Sequence, residues 1–397
     1  MRILIVSHLW PRESWSNYGI FVSDQAAALT EHVDVTVAVP IDLTVRRSEI
    51  SVLSVISGMD KYRKRTKPEL ISYPEIKLVE VPFKAALLRQ KFTEKTIGNL
   101  SEALSSVSLG KFDLVHAHTI YPDGLACAQW LEEQKTPLVI TAHGTDVHSI
   151  SEGVLKLLDP LLHRADALVP VSNFLGDQLI KFGADKSQVR VIPNGFVAQQ
   201  FSDVDDSHRD PRKIVLLGNL RPVKRVDILI RALQYCSEDI HLEIGGDGPS
   251  KKELENLVKK LDLQDRVKFL GLVPRKDVPS FFAQASLMCL VSSREGWPTV
   301  IFEALACGTP VLATSVGGVP EALSHAGLGQ LVPPDINPEA LAEEIESSLD
   351  FNWNRQFIRD YAGRFSWAEI AKQLMTLYRD ILPDCNPSVP DELHLRS

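Results

Sequence analysis

Short runs rich in Val, Ile and Leu alternate with longer stretches of helical period along nearly the whole chain. That alternation is the pattern of parallel strands joined by crossover helices. In the first half it predicts strands at Ile3–Val6, Val33–Val39, Leu78–Val81, Leu114–His116, Leu138–Thr141, Ala167–Val171 and Val189–Ile192, with helices such as Val22–Thr30, Leu125–Glu133 and Asn173–Phe182. After Asn194-Gly195 the chain turns polar, and FSDVDDSHRDPR, from Phe201, has the Asp, Ser and Pro content of an exposed linker. A second alternating series follows, with strands in KIVLLGNL, IHLEIGGDGP, RVKFLGLVP, SLMCLVSS, TPVLATS and GQLVPP. Its helices are expected near Val226–Leu233, Lys251–Leu261, Val278–Gln284, Val300–Cys307 and Pro338–Leu349. The expectation is an α/β chain of two doubly wound domains facing a cleft, with ligands at the C-terminal ends of the strands. A last helix in SWAEIAKQLMTLYRDIL places Ile370, Leu374, Leu377, Tyr378 and Ile381 on one face, suited to pack back on the first domain.

The length of 397 residues also demands more than one core. A formal net charge of -8 argues against a general affinity for nucleic acid. The five cysteines form no Cys-x-x-Cys pair, which points to a reducing, cytoplasmic compartment and away from a zinc site. The apolar run RILIVSHLWP is too short for a membrane span and is followed by no small-residue cleavage site. Residues 42–95 hold twelve Lys or Arg against seven Asp or Glu, including KYRKRTK from Lys61. This segment reads either as an ordinary basic loop or as a surface that docks on an acidic polymer or makes peripheral contact with anionic membrane at its inner face.

The densest chemistry lies in REGWPTVIFEALACGTPVLATSVGGVPE, from Arg294, where Glu295 and Glu303 bracket seven residues. A proline at a first helical turn costs no hydrogen bond, and the amides of Thr299 and Val300 would then face an anion such as a diphosphate. Glu303, just over one turn into the helix, can accept from both hydroxyls of a ribose. Glu295, in the loop before it, can accept from a sugar. The competing reading is that both are solvated helix-end charges. Gly308, Gly317 and Gly318 at strand–helix turns favour close approach of a ligand instead.

The glutamate spacing, followed by EALACGTPVLAT and GGVPE, resembles the retaining glycosyltransferases of GT-B fold in family 4 (glycosyl transferases group 1). That group includes sucrose synthases, bacterial mannosyltransferases and polysaccharide-assembly enzymes. GIFVSDQAAAL, DLVHAHTIYPDG, TAHGTDV, VSNFLGDQLIKFG, VIPNG, LLGNLRPVKRVDILIRAL and IGGDGP occur in the family's order. GIFV and EGWP look most like the branch associated with teichuronic acid and other bacterial surface polysaccharides. The resemblance implies two Rossmann-like domains: an acceptor-binding domain over 1–198, a linker over 199–212, a donor-binding domain over 213–365, and a C-terminal helix and tail over 366–397. It further implies that Lys224 contacts the donor diphosphate, Glu303 the ribose, Glu295 the donor sugar, and His143 the sugar and its reaction centre. Gly19 matches the glycine of the first loop, and Gly296, Trp297, Thr299 and Val300 complete the donor site. The family's usual Arg after Gly218 is replaced by Asn219, and Arg221 is the candidate to supply the missing cation.

On this resemblance the chain moves a sugar from a nucleotide-diphosphate sugar to a glycan or lipid-linked acceptor with retention of configuration. The diphosphate helps to remove the acceptor proton, and no protein nucleophile is placed. No cofactor or metal is expected, because DVD at Asp203–Asp205 falls in the polar stretch and His116 and His118 lack a third ligand. A nucleotide-sugar 2-epimerase shares the two-domain architecture and the cleaved bond, and a non-catalytic sugar-nucleotide-binding subunit is the third reading. Isomerisation of donor without acceptor would single out the epimerase. The retained Glu295, Glu303, Lys224 and His143 argue against the binding subunit.

Overall fold

A computed structural model describes residues 1–44, 68–86, 92–148 and 150–382. The chain divides into two compact units, the first comprising Met1–Pro170, Gln178–Ile192 and Ala371–Ser397, the second Val171–Asp177 and Pro193–Ile370. The cut therefore falls ahead of the stretch 199–212, whose last residues, Asp210–Arg212, already belong to a strand. Residues 45–67 and 87–91, with KYRKRTK and most of the basic segment, lie outside the described residues, as does Cys385.

In the first unit, β1 (Arg2–Val6), β2 (Asp34–Asp42), β3 (Lys77–Phe83), β4 (Leu114–His118), β5 (Leu138–Ala142) and β6 (Ala167–Pro170) form one sheet in the order β3-β2-β1-β4-β5-β6. All neighbouring pairs are parallel. The sequence LVITA of β5 is buried at every position, whereas KLVEVPF of the edge strand β3 is mostly exposed or half-buried. A central strand covered by helices on both faces needs a continuous apolar run, and an edge strand does not. The expected seventh strand at Val189–Ile192 is only a single parallel bridge, Leu168 to Val189.

The second unit repeats the plan with β7 (Asp210–Leu217), β8 (His241–Gly245), β9 (Val267–Gly271), β10 (Ala285–Leu290), β11 (Val311–Thr314) and β12 (Gly329–Val332), in the order β12-β11-β10-β7-β8-β9. Along β10, Met288 and Leu290 join one apolar cluster while Leu287 and Cys289 join another. The two-residue period of the strand thus feeds a core on each face. The helix expected from Ser366 spans Trp367–Ile381, and Ile370, Leu374, Leu377 and Tyr378 are buried on it.

In both sheets the strand order reverses once, between β1 and β4 and between β7 and β10. At such a reversal adjacent crossovers leave in opposite directions, so the loops after those strands frame a crevice.

Candidate active site

In the second unit the loops after β7 and β10 meet at the reversal. Leu217 ends β7, and a single helical turn, Pro222–Lys224, follows. The Ser293 amide of the β10 loop donates to the Val223 carbonyl at 2.8 Å, tying the two loops together. Across this tie the Lys224 ammonium lies 2.6 Å from Glu295 Oε1, with side-chain exposures of 20% and 11%. The Ser292 hydroxyl donates to the same oxygen at 2.5 Å. Two donors on one oxygen fix the carboxylate and hold a cation at the end of β7, where a diphosphate would need one.

Gly317, at φ 53°, passes so close to this loop that an added Cβ would overlap the Glu295 carbonyl. Its glycine thereby lets the β11 loop brace the glutamate, a closer and more local reason than ligand approach.

Pro298 caps the helix Thr299–Ala306, so the proline precedes the first turn and does not start it. The Ile301 amide bonds back to the Pro298 carbonyl at 3.0 Å, and the amides of Thr299 and Val300 stand at the open end. Glu303 is half-buried on the next turn, and its charge adds to the burial that chiefly raises the Cys307 thiol. Trp297 is also tied into this loop. Its indole N–H donates to the Asn194 carbonyl at 3.0 Å, and its ring stacks on Phe302 at 5.1 Å, so its visible work is to pack the loop. Asn219 and Arg221 are exposed, and no side-chain partner of Arg221 occurs among the described residues. Asp203 and Asp205 are exposed too, and Asp205 caps the Ser207 amide. Among the described residues no group of three or more His, Cys, Asp or Glu side chains is arranged to hold a metal ion.

In the first unit His143 follows β5. Asp146, three residues on, accepts from the amides of His143 and Gly144 through Oδ1 and from Ile120 through Oδ2, which fixes the loop on the end of β4. Burial raises the Asp146 pKa, the three amide bonds opposing it. His143 Nε2 is 2.9 Å from His118 Nδ1, and Phe21 packs on the His143 ring at 4.6 Å. His116 bonds Tyr378 at 2.6 Å and Thr141 at 2.7 Å. Desolvation pushes His116 and His143 down to about 3, with the charges of His116 and His8 adding to the effect on His143. The three imidazoles are therefore neutral at pH 7. Gly19, at φ 69°, caps the helix Ile20–Thr30 and runs against the Leu9–Trp10 backbone, where a Cβ would not fit.

A pair that the sequence analysis did not single out sits at the reversal of the first sheet. His8, two residues after β1, places Nδ1 2.7 Å from Oδ2 of Asp123, a fully buried carboxylate in the loop after β4, and its backbone amide donates to the same oxygen at 3.0 Å. Asp123 Oδ1 has no hydrogen-bond partner among the described residues. The position of His8 just past a strand end was a usable signal. That of Asp123 was not, because its partner is 115 residues away.

Two family models match the chain in succession: Glycosyltransferase Family 4 over residues 19–200 and Glycosyl transferases group 1 over residues 199–364. The N-acetyl-alpha-D-glucosaminyl L-malate synthase of Bacillus anthracis is 27% identical over 68% of this chain and 76% of its own. The proposed teichuronic acid biosynthesis glycosyltransferase TuaC of Bacillus subtilis is 28% identical over 87% of this chain and 88% of its own. Among solved structures, HepE of Anabaena in complex with UDP superposes with a TM-score of 0.72 at 21% identity, covering 96% of this chain and 100% of that one. The sucrose-phosphate synthase of Thermosynechococcus elongatus gives 0.73 at 22% identity, covering 97% and 100%. With two parallel six-stranded sheets of this order and the two models together matching residues 19–364, the chain belongs to the family 4, group 1 glycosyltransferases of GT-B fold.

Proposed function

We propose that this glycosyltransferase transfers a sugar from a nucleoside-diphosphate sugar, with retention of configuration, to a glycan or lipid-linked acceptor in bacterial surface polysaccharide biosynthesis. The observation that carries the donor class is the Lys224–Glu295 pair, braced by Ser292 at the β7/β10 reversal. In this reading the Lys224 ammonium and the amides of Thr299 and Val300 bind the diphosphate, Glu303 the ribose and Glu295 the sugar. His143 is the first unit's residue for the transferred sugar. As the anomeric C–O bond breaks, its electron pair leaves on the diphosphate, and fixed cations stabilise that growing charge more than they stabilise the bound donor. The acceptor oxygen bonds to the anomeric carbon, and its proton passes to the departing diphosphate.

Similarity to TuaC supports the surface-polysaccharide setting, and the HepE complex with UDP supports a nucleotide donor. No helix among the described residues is long and apolar enough to cross a membrane, which accords with a cytoplasmic enzyme that meets a lipid-linked acceptor from the membrane's inner face through residues 42–95. The amides and Lys224 do the work of a metal, so activity is expected to survive excess EDTA. The test is nucleotide release from a panel of UDP-, GDP- and ADP-sugars, with and without acceptor extracts and with and without EDTA. Release of a nucleoside diphosphate coupled to glycan formation is the expected result. An isomerised donor without acceptor would overturn transfer, and a loss restored by magnesium or manganese would overturn metal independence.

A further inference from the structure

His8 joins the two loops that frame the reversal of the first sheet. Asp123, in the turn Ile120–Gly124 after β4, is fully buried, and its Oδ2 lies 3.0 Å from the His8 amide and 2.7 Å from His8 Nδ1. An oxygen that already accepts from an amide is served by a second N–H, which puts the ring proton on Nδ1. The opposite edge of the ring meets water. The His8 side chain is 28% exposed, and Nε2 has no partner among the described residues and is not one of the buried polar atoms left unpaired. An accessible nitrogen therefore stands just past the end of β1, aimed by a buried carboxylate.

This arrangement costs the fold something. Asp123 Oδ1 is buried without a hydrogen-bond partner among the described residues, and an unpaired buried carboxylate oxygen is unfavourable. Thr119, which leads into the same turn, has φ 76°, a conformation that a β-branched residue seldom adopts. Its carbonyl accepts from the Gly124 amide at 3.0 Å, and a Cβ on Gly124 would come within 2.9 Å of that carbonyl. Tying two loops together for stability needs neither an unpaired oxygen nor a strained threonine. Both features gather where a geometry serves contact with a ligand.

We propose that His8 is a substrate-contacting residue whose Nε2 accepts a hydrogen bond from a hydroxyl of the acceptor, and that Asp123 is the positioning residue that fixes its tautomer. A bare imidazole nitrogen only accepts, so its ligand must donate, as a hydroxyl does and the oxygens of an ionised diphosphate do not. The transferred sugar already has Glu295 and His143, which leaves the acceptor for His8. The hydroxyl is one that does not react, because the proton of the attacking oxygen leaves with the diphosphate. Only the assignment to the acceptor rests on the reading of the chain as a transferase. The tautomer does not.

The test uses the full chain. With 15N-labelled histidine at pH 8.5, above the ordinary imidazole pKa of about 6.5, long-range proton–nitrogen correlation spectra should show protonated Nδ1 and bare Nε2 at His8, its signals being those absent from His8→Phe. Protonated Nε2 overturns the proposal before any activity is measured. In Asp123→Leu, similar in shape but unable to accept a hydrogen bond, the spectrum should move toward a mixture, and an unmixed Nδ1–H spectrum in that folded variant overturns the role of Asp123. The second arm takes the nucleotide sugar that the donor panel identifies and measures its turnover with water alone and with acceptor extract. In His8→Phe, which keeps a ring and removes its nitrogens, the extract needed for half-maximal transfer should rise by about 3–10-fold, the loss of one hydrogen bond. Hydrolysis by water and affinity for the nucleoside diphosphate should not change. Unaltered acceptor dependence in folded His8→Phe overturns the contact, and an equal fall in hydrolysis by water overturns it by placing His8 on the donor. An isomerised donor without transfer in the unaltered protein is the separate failure of the transferase reading; it overturns the acceptor assignment, while the tautomer stands or falls on the spectra.

Discussion

The two units present opposite solutions to placing polar groups at a sheet reversal. In the first, His116 and His118 are fully buried and His143 is half-buried, and desolvation lowers the pKa of each. In the second, a lysine and a glutamate pair at 2.6 Å and remain partly in contact with water. Burial in apolar surroundings makes charge expensive and hydrogen-bond direction specific. Partial exposure keeps charge affordable and available to a charged ligand. Donor diphosphate chemistry needs the second kind of site, and discrimination among hydroxyls needs the first.

The largest effect that separates the two is expected at Lys224. Lys224→Ala should lower kcat by about a hundredfold or more, some 2.7–4 kcal/mol, the loss typical of removing one fixed stabiliser of a developing anion. Single-turnover transfer with saturating donor measures it. A variant with full kcat would make the ion pair structural and leave the second unit without its defining charge. Next comes Glu303→Gln, expected to weaken binding of the cognate nucleoside diphosphate by about 1.5–3 kcal/mol through lost charge-assisted hydrogen bonds. Calorimetric titration reads this directly, and unchanged affinity in a folded variant removes the ribose assignment.

How legible these sites were in the sequence follows from how local their causes are. The strands showed themselves because a sheet covered on both faces demands unbroken apolar runs such as LVITA and ASLMCL. Val189–Ile192 misled because an apolar run does not reveal whether a neighbouring strand has room to pair beyond one bridge. Lys224, Glu295 and Glu303 were legible as family motifs, but the 2.6 Å pairing of Lys224 with Glu295 links residues 71 apart. Glu321, the last residue of GGVPE, accepts from the amides of Asn173 and Phe174, a helix cap that spacing alone cannot announce. Tyr378 reads as an ordinary helix residue, because a hydrogen bond to a distant histidine leaves no periodic trace.

The buried histidines make a pH prediction with a definite sign. A histidine held at about 3 when folded and near 6.5 when unfolded binds more protons in the unfolded chain across that interval. Stability should therefore fall as pH drops from about 6.5 toward about 3, with a limiting slope of about 1.4 kcal/mol per pH unit for each such histidine. Asp146, whose pKa is raised, works in the opposite direction as it protonates. Denaturant unfolding of the wild type and of His116→Phe at pH 7, 6, 5 and 4 isolates one histidine, since a loss of packing shifts the whole curve and only a lost titration changes its slope. Equal slopes would mean that His116 takes up its proton alike in the folded and unfolded chain, and the contrast between the units would lose its first half.

The smallest effect tests whether the second unit needs more than one cation. Arg221 and Lys224 belong to one short turn, but Arg221 is exposed while Lys224 is clamped by Glu295. A solvated guanidinium contributes little to a bound anion, because water screens it and its side-chain freedom is lost on binding, so Arg221→Ala should cost about 1 kcal/mol or less. If Arg221 replaces the arginine missing at Asn219, that cost should fall on kcat more than on donor affinity, since the diphosphate gains charge toward the transition state. Donor titration together with single-turnover rates separates the two quantities. In the double variant with Lys224→Ala the losses should then be non-additive, because two cations on one phosphate share a partner. Strict additivity with an unchanged kcat in Arg221→Ala would instead make Arg221 a surface residue and leave Lys224, with the helix-start amides, as the whole electrostatic machinery of the second unit.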